Sequence, residues 1–200
     1  MTDLHGCRLG FALCGSFCCA RKALTAAKAC AEAGAALLPI ISEHFAETTT
    51  RFGSPTIFSE ELALLGDGKI VTSIVDAEPI GPRQLTDALV VAPCTGNTLA
   101  KLAAGITDNT VTMAVKSHLR GGKPVILCIS TNDGLSAAAR NLGELLNRKH
   151  YFFVPFGQDA PIQKPTSLMG DFTRIPETVA EALGHRQLQP ILISYTNENT

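Results

Sequence analysis

Short apolar runs without polar alternation constrain the fold of this 200-residue chain more than any other feature of its sequence. A strand with one face in water alternates apolar and polar side chains, whereas an unbroken apolar run suits a central parallel strand covered on both faces. Four runs of this kind and a shorter fifth are present: residues 8–14, 35–41, 87–92, 124–129 and 151–154. The sequence therefore predicts a mostly parallel sheet with these runs as strands.

Segments with helical spacing separate the predicted strands. In residues 18–33, Ala20, Leu24, Ala27 and Ala31 recur three or four positions apart, so that one helix face can pack on the sheet. Gly34 then supplies a stop. Alternating strands and helices indicate a doubly wound α/β fold.

Three further segments have a helical pattern, at residues 98–104, 110–119 and 135–146. In the last of these, Leu135, Leu142 and Leu145 or Leu146 lie on one side. The Pro-rich residues 155–165 predict no regular element, and we interpret residues 156–165 as a contact surface, a lid over the pocket or a plain loop. We predict a single domain over residues 1–200, with a core at about 7–185 and a C-terminal tail at 186–200.

Charge and hydropathy exclude several classes of partner. The 17 basic and 18 acidic residues are mixed along the chain, so there is no basic stripe that could follow a phosphate backbone. The apolar stretches are far shorter than the roughly 20 residues that span a bilayer. The first residues lack a basic segment followed by a hydrophobic one. We expect no nucleic-acid partner, no membrane span and no secretion signal.

The seven cysteines lie mostly inside apolar segments and are odd in number. This distribution is typical of a reducing compartment rather than of a disulfide framework. Cys14, Cys18 and Cys19 are close in sequence, but no second Cys or His pair accompanies them at ligand spacing. We therefore predict small packing side chains and no metal site.

Small polar residues follow four of the predicted strands. They are Gly15 and Ser16, then Ser42, then Thr95, Gly96, Asn97 and Thr98, and finally residues 130–134, which include Thr131 and Asn132. Any one of these groups is explained by helix capping alone. Because parallel strands end at the same edge of a sheet, four such groups together predict a site there for a phosphate-bearing cofactor.

The first turn, residues 10–16, contains neither the G-x-G-x-x-G fingerprint of dinucleotide sites nor a phosphate-binding Gly-Lys-Ser/Thr. This weakens NAD and ATP as candidates. Glu43 follows the second strand, where a ribose-binding acid would stand, so nicotinamide stays open. FMN, which has one phosphate and no adenosine ribose, is compatible with a single cluster of small donors.

No catalytic pair is apparent, because the five histidines are scattered along the chain. Lys116, His118 and Arg120 lie on or near the end of one predicted helix. They either meet an anionic substrate or form a solvated basic helix end. The catalytic residues are left unassigned.

Several longer strings carry a family resemblance and cover nearly the whole chain in order. They are residues 49–53 (Thr-Thr-Arg-Phe-Gly), 77–82 (Ala-Glu-Pro-Ile-Gly-Pro), 92–98 (Ala-Pro-Cys-Thr-Gly-Asn-Thr), 130–133 (Ser-Thr-Asn-Asp), 156–161 (Phe-Gly-Gln-Asp-Ala-Pro) and 187–190 (Gln-Leu-Gln-Pro). With them the chain resembles the dipicolinate synthase B chains. The string at 93–98 also resembles the wider flavoprotein group, which includes phosphopantothenoylcysteine decarboxylases and flavin prenyltransferases.

The resemblance implies a Rossmann-like flavoprotein fold, three-layer α/β/α with a mostly parallel sheet. It also implies bound FMN, held by Gly15, Ser16, Ser42 and residues 95–98. The activity implied is the oxidation of a hydroxytetrahydrodipicolinate (dihydrodipicolinate) from the lysine pathway to dipicolinate, with hydride transfer to the flavin. The partner implied is an A subunit with its own NAD(P), in the mother-cell cytoplasm of a sporulating bacterium. A homo-oligomer is expected as well.

Two departures limit what the resemblance carries over. The family usually reads Thr-Gly-Ser-His-Cys at the first turn, but residues 14–18 read Cys-Gly-Ser-Phe-Cys, so no role of that histidine applies here. The decarboxylases' Pro-x-Met-Asn segment and catalytic histidine have no clear counterpart, which disfavours decarboxylation. Two alternatives stay open: a non-catalytic partner that stabilises the A subunit, and an enzyme similar to the decarboxylases or prenyltransferases.

Overall fold

The computed structural model describes residues 2–49 and 54–194, so residues 50–53 of the string at 49–53 lie outside it. The described chain forms a seven-stranded sheet. Its strands are β1 (Arg8–Leu13), β2 (Ala36–Ile41), β3 (Ala88–Cys94), β4 (Val125–Thr131), β5 (Tyr151–Phe153), β6 (Phe156–Gly157) and β7 (Leu168–Gly170). The first five strands are those predicted from the apolar runs.

The pairing of these strands is mostly parallel. β1 lies between β2 and β3, β3 pairs with β4, and β4 pairs with β5, all in parallel. The short β7 and β6 are antiparallel, and they extend the sheet beside the end of β4. The chain moves outward in opposite directions from β1, to β2 on one side and to β3 on the other. Such a switch point is where open α/β sheets bind ligands.

Helices cover both faces of the sheet. They are α1 (Ala20–Glu32), α2 (Glu43–Glu47), α3 (Pro55–Leu65), α4 (Ile74–Ala77), α5 (Gly96–Ala104), α6 (Thr110–Leu119), α7 (Ala139–Leu146) and α8 (Ile175–Leu183). α1 packs against α3 and α8, whereas α6 packs against α4 and α5, and α5 against α7. The predicted three-layer α/β/α architecture with a mostly parallel sheet is therefore confirmed.

The central strands supply side chains to two separate hydrophobic cores. In β3, Val90 belongs to the core beneath α1, and its neighbours Leu89 and Val91 belong to the core beneath α6. All seven residues of β3 are buried. Burial on both faces is the physical reason for the unbroken apolar runs in the sequence.

The predicted helix at residues 135–146 is shorter in the structure, since α7 begins at Ala139. The carbonyl of Asp133 accepts hydrogen bonds from the amides of Ser136 and Ala138, and this closes the preceding residues into turns. Leu135 is 52% exposed, whereas Leu142 and Leu145 are buried, so the predicted apolar side lacks its first member.

Residues 155–165 contain a regular element that the sequence did not indicate, because β6 pairs with β7. The segment after α8 adds to this edge: the Phe156 amide donates to the carbonyl of Ile191, and the Phe156 carbonyl accepts from the amide of Ile193. The predicted C-terminal tail is thus docked on the sheet as far as it is described.

Candidate functional site

The loops that follow β1, β2 and β3 surround a cleft of about 670 Å³ at the carboxyl edge of the sheet. This volume falls within the roughly 300–1,000 Å³ of small-molecule sites. Its walls include five residues predicted for the cofactor: Gly15, Ser42, Thr95, Asn97 and Thr98. The cleft therefore lies at the switch point between β1 and β3.

The other four predicted residues lie beside the cleft rather than in its walls. Ser16 Oγ is 3.1 Å from Ser130 Oγ at the end of β4. Thr131 donates its hydroxyl hydrogen to Asp133 Oδ1. Asn132 is exposed, and its carbonyl accepts a hydrogen bond from Thr166 Oγ1 at 2.7 Å.

Gly96, the fourth of these residues, lies where the loops after β3 and β4 meet. A Cβ atom added at Gly96 would stand 2.7 Å from both Thr131 Oγ1 and Asp133 Oδ1. Glycine is therefore required at this position by close approach. Thr131 acts on the cleft indirectly, because it fixes the loop against which α5 begins.

The first turn of α5 forms one wall of the cleft. Thr95 caps this helix by accepting a hydrogen bond from the Thr98 amide at 3.2 Å. The amides of Gly96 and Asn97 come earlier than any amide with an intrahelical acceptor. The exposed Asn97 side chain adds a further amide group. This end of α5 therefore presents N–H donors and a positive helix-dipole end to the cleft.

A buried thiol supports the same turn from beneath. Cys14 Sγ donates to the carbonyl of Pro93 at 2.9 Å and is 3.2 Å from Thr98 Oγ1. Burial raises the pKa of the Cys14 thiol, so this group stays protonated and serves as a hydrogen-bond donor at neutral pH. Cys14 ties the end of β1 to the end of β3.

The start of α6 is also near the cleft, but its N–H groups already bind a carboxylate of the same chain. Both carboxylate oxygens of Glu43 accept hydrogen bonds from the Thr110 amide, at 3.1 and 3.2 Å, and Thr110 Oγ1 donates to one of them at 2.7 Å. Asn109 caps the same helix by accepting from the Thr112 amide. These contacts give Glu43, a candidate ribose ligand from its position in the sequence, a structural role instead.

Three charged or ionisable residues of the cleft, Lys101, Asp108 and His44, were missed from the sequence. Lys101 Nζ donates to both carboxylate oxygens of Asp108, at 2.8 and 2.9 Å. The His44 ring lies edge-on to Phe17, with 5.9 Å between ring centroids. The conformation of the loops brings these residues together. In the sequence, only the position of Asn109 directly before a predicted helix could have indicated a further residue of the cleft.

The basic helix end lies at the opposite edge of the sheet. His118 is 1% exposed: its Nε2 donates to the Pro124 carbonyl at 3.0 Å, which leaves Nδ1 to accept from the Thr86 hydroxyl at 2.8 Å. Burial lowers the pKa of His118 to about 4, so the ring is neutral at pH 7. The interpretation as a solvated helix end is wrong for His118, though it suits the exposed Lys116 and Arg120.

Residues 2–49 and 54–194 contain neither a cluster of metal ligands nor a helix that could cross a membrane. These residues contain no group of three or more His, Cys, Asp or Glu side chains placed to hold a metal ion. None of the helices described there has the length and apolar character to cross a membrane.

Comparisons with known proteins agree with this architecture. A flavoprotein family model matches residues 3–182. The dipicolinate synthase B chain of Bacillus subtilis (strain 168) is 41% identical over 193 residues, which cover 96% of this chain and 96% of that protein. The crystal structure of the dipicolinate synthase B chain from Bacillus halodurans matches with a TM-score of 0.89 and 39% identity, over 97% of this chain and 100% of that one.

A more distant structure shares the fold alone. The FMN-dependent cysteine decarboxylase SpaF matches with a TM-score of 0.67 and 21% identity, over 92% of this chain and 98% of its own. The switch-point cleft and the family model together define the class as a Rossmann-like flavoprotein. The chain belongs to that family and, within it, to the dipicolinate synthase B chains. The resemblance found in the sequence is thereby confirmed.

Proposed function

We propose that the chain binds FMN in the cleft at the switch point and acts as the B chain of a dipicolinate synthase. The observation that carries the proposal is the first turn of α5, where Asn97 and Thr98 line a cleft of suitable size and the Gly96 and Asn97 amides precede any amide with an intrahelical acceptor. A helix start of this kind binds phosphate through N–H groups without needing a lysine.

The contrast between two neighbouring helices supports this placement. The start of α6 already has an anion, the Glu43 carboxylate. The start of α5 is capped by the neutral Thr95 hydroxyl, and the Asp133 carboxylate beside it accepts the hydroxyl hydrogen of Thr131. The phosphate of FMN would complete α5 in the way that Glu43 completes α6, since negative charge is stabilised at a helix N-terminus.

The remaining cleft residues would hold the rest of the cofactor. Asn97, Thr98 and Gly15 line the cleft and fit the phosphate and ribityl groups, and Ser42 lies on the wall formed by the end of β2. Gly96 and Thr131 fix the loops, and Ser16 and Asn132 lie at the rim. Bound FMN supplies a two-electron acceptor for oxidation of the dihydrodipicolinate to its aromatic product.

Family membership supports a partner and a setting. The relatives are named as one of the lettered subunits of a synthase, which supports an A subunit as the partner. In this proposal the A subunit holds NAD(P), and the complex works in the mother-cell cytoplasm during sporulation. A homo-oligomer of the B chain is proposed in addition.

Titration of the purified chain with FMN, followed by quenching of flavin fluorescence, tests the cofactor and its place. We expect Asn97→Ala to weaken binding by roughly tenfold, the equivalent of about 1.4 kcal/mol for one hydrogen bond to a charged group. Asn147→Ala is the matched control, because Asn147 is also exposed but follows α7 at the opposite edge of the sheet. Equal FMN affinities of the two variants would show that the flavin does not bind at the start of α5.

A non-catalytic partner is the second candidate, and the polar contacts within the cleft favour it. Glu43 is committed to Thr110, and Lys101 to Asp108, so these groups form no free acid–base pair. This candidate would be supported if the A subunit alone formed dipicolinate at the rate of the complex, and if FMN bound neither to the B chain alone nor to the complex. Flavin reduction on turnover of the complex would exclude it.

A further inference from the structure

The thiols of Cys18 and Cys19, two adjacent residues between β1 and α1, differ sharply in exposure. All seven cysteines lie in the described part of the chain and are free, and Cys18 alone among them is exposed. Cys19, the next residue, is only 2% exposed. The two sulfur atoms are 3.9 Å apart.

Hydroxyl groups bracket this pair of sulfurs. Ser16 Oγ lies 3.6 Å from Cys18 Sγ and 3.1 Å from Ser130 Oγ, and Ser130 Oγ lies 3.2 Å from Cys19 Sγ. The four groups form one connected cluster that holds both thiols in place. An accessible thiol in contact with a second thiol is the arrangement of a reversible oxidation site.

We propose that Cys18 and Cys19 form a site of reversible thiol oxidation, in which Cys18 reacts first with a hydroperoxide and Cys19 resolves the product. The Cys18 thiolate attacks one oxygen of the hydroperoxide, so that an S–O bond forms and the O–O bond breaks. The departing alkoxide or hydroxide takes up the proton that the Cys18 thiol released and leaves as alcohol or water. Cys19 then attacks Cys18 Sγ: the S–S bond forms, the S–O bond breaks, and the departing hydroxide takes the Cys19 proton as water. Two thiols are oxidised by two electrons, and one peroxide is reduced.

The division of roles follows from burial. Cys18 is the thiol that solvent and a small oxidant can reach. Burial raises the pKa of Cys19, which makes it a poor first nucleophile, whereas its contact with Cys18 suits the second step. Burial also raises the pKa of Cys7 to about 11 and of Cys30 to about 12, so these thiols stay protonated and inert.

The product would be easily reduced. Neighbouring Cα atoms are about 3.8 Å apart across a trans peptide bond. Disulfides usually join Cα atoms about 4.4–6.8 Å apart, and departures store strain that makes the bond more reducible. A switch rather than a permanent crosslink is therefore expected. The cluster shares Ser16 with the proposed flavin site, whereas the contact between the Cys18 and Cys19 sulfurs involves no residue of that site.

Treatment of the purified full-length chain with hydrogen peroxide tests the proposal. Mass spectrometry of the tryptic peptide that ends at Arg21 should show loss of two hydrogen atoms, reversed by dithiothreitol. Dimedone, which traps sulfenic acid, should label Cys18 several-fold more in Cys19→Ser than in the wild type, and should not label Cys18→Ser. Cys30→Ser, a buried cysteine of α1, is the control and should behave as the wild type.

Two results would overturn the proposal. One is equal dimedone labelling of Cys18 in the wild type and in Cys19→Ser. The other is a disulfide that joins Cys18 to any residue except Cys19, including Cys18 of a second chain. Cys19→Ala, compared by thermal unfolding, provides a second variant should the serine at this buried position unfold the protein.

Discussion

The close approach at Gly96 allows a sharp test of how the cleft is built. Replacing Gly96 by alanine places a Cβ 2.7 Å from both Thr131 Oγ1 and Asp133 Oδ1. These two oxygen atoms are already joined by a hydrogen bond. These atoms must withdraw by about 0.5 Å or more to reach an ordinary contact distance. The start of α5 and the loop after β4 therefore have to separate.

The size of the effect follows from two opposing contributions. Overpacking of this kind costs about 1–3 kcal/mol. Alanine recovers at most about 0.5–1 kcal/mol of backbone entropy relative to glycine in a helix. We expect the free energy of unfolding to fall by about 1–2 kcal/mol in Gly96→Ala. FMN affinity should fall roughly tenfold or more, because the displaced Gly96 and Asn97 amides lose alignment with the phosphate.

Gly143→Ala is the matched control. Gly143 lies within α7 and has no atom within 4 Å of a Cβ built on it. This variant should be more stable by about 0.5–1 kcal/mol and should bind FMN normally. Urea denaturation and FMN titration of both variants provide the measurements. The reasoning is refuted if Gly96→Ala gains stability as Gly143→Ala does and keeps its FMN affinity.

Three further predictions concern buried or paired groups. Hydrogen bonds from Arg8 hold the pKa of Asp87 well below its usual range, with Lys123 contributing, so Asp87 stabilises the fold above the unfolded pKa of about 3.9 and loses that effect as pH falls below it. Asp87→Asn should lower the free energy of unfolding at pH 7 by about 1–2 kcal/mol and flatten its dependence on acid, as measured by urea denaturation from pH 7 to 2. The pKa of His118 is lowered to about 4, so between pH 6.5 and 5 the unfolded chain takes up the proton first, and the free energy of unfolding of the wild type should fall by about 1–2 kcal/mol. If the free energy of unfolding of His118→Gln had the same dependence on pH as that of the wild type, this reasoning would be contradicted. Glu43→Ala should destabilise the protein by about 1–2 kcal/mol through loss of the anion at the start of α6, whereas thermal unfolding of Glu47→Ala, an exposed glutamate of α2, should be unchanged.

The central strands could be predicted because their sequence signal is local. Each residue of β3 is buried on one face or the other, so the run is apolar throughout and needs no knowledge of its neighbours to be recognised. α6 was predicted with its observed bounds; in the structure Asn109 caps its start, and a turn at Gly121 and Gly122 follows its end.

The elements that were missed depend on contacts from distant parts of the chain. β6 has two residues and exists because β7 and Ile191 supply its partners. Leu135 matches a helical pattern, yet its amide donates to the carbonyl of the distant Thr166 at 2.9 Å, and the residues that follow it are held in turns. A short stretch of sequence does not include partners from distant parts of the chain, and a two-residue strand is too short to show a periodic pattern.

The strand runs, the edge at which polar loops gather and the family could all be read from the sequence, since these depend on residue type in chain order. Which polar residues share the cleft was settled by the assembled fold. Asn97 and Thr98 line the cleft, whereas Ser16 turns toward Ser130 and Glu43 bonds to Thr110. Side-chain direction at a strand end depends on loops that are far apart in the sequence, as the Glu43–Thr110 separation of 67 residues illustrates. Those contacts form only when the sheet assembles. Composition and spacing could therefore indicate the edge where the candidate cleft lies, but could not show which residues line it.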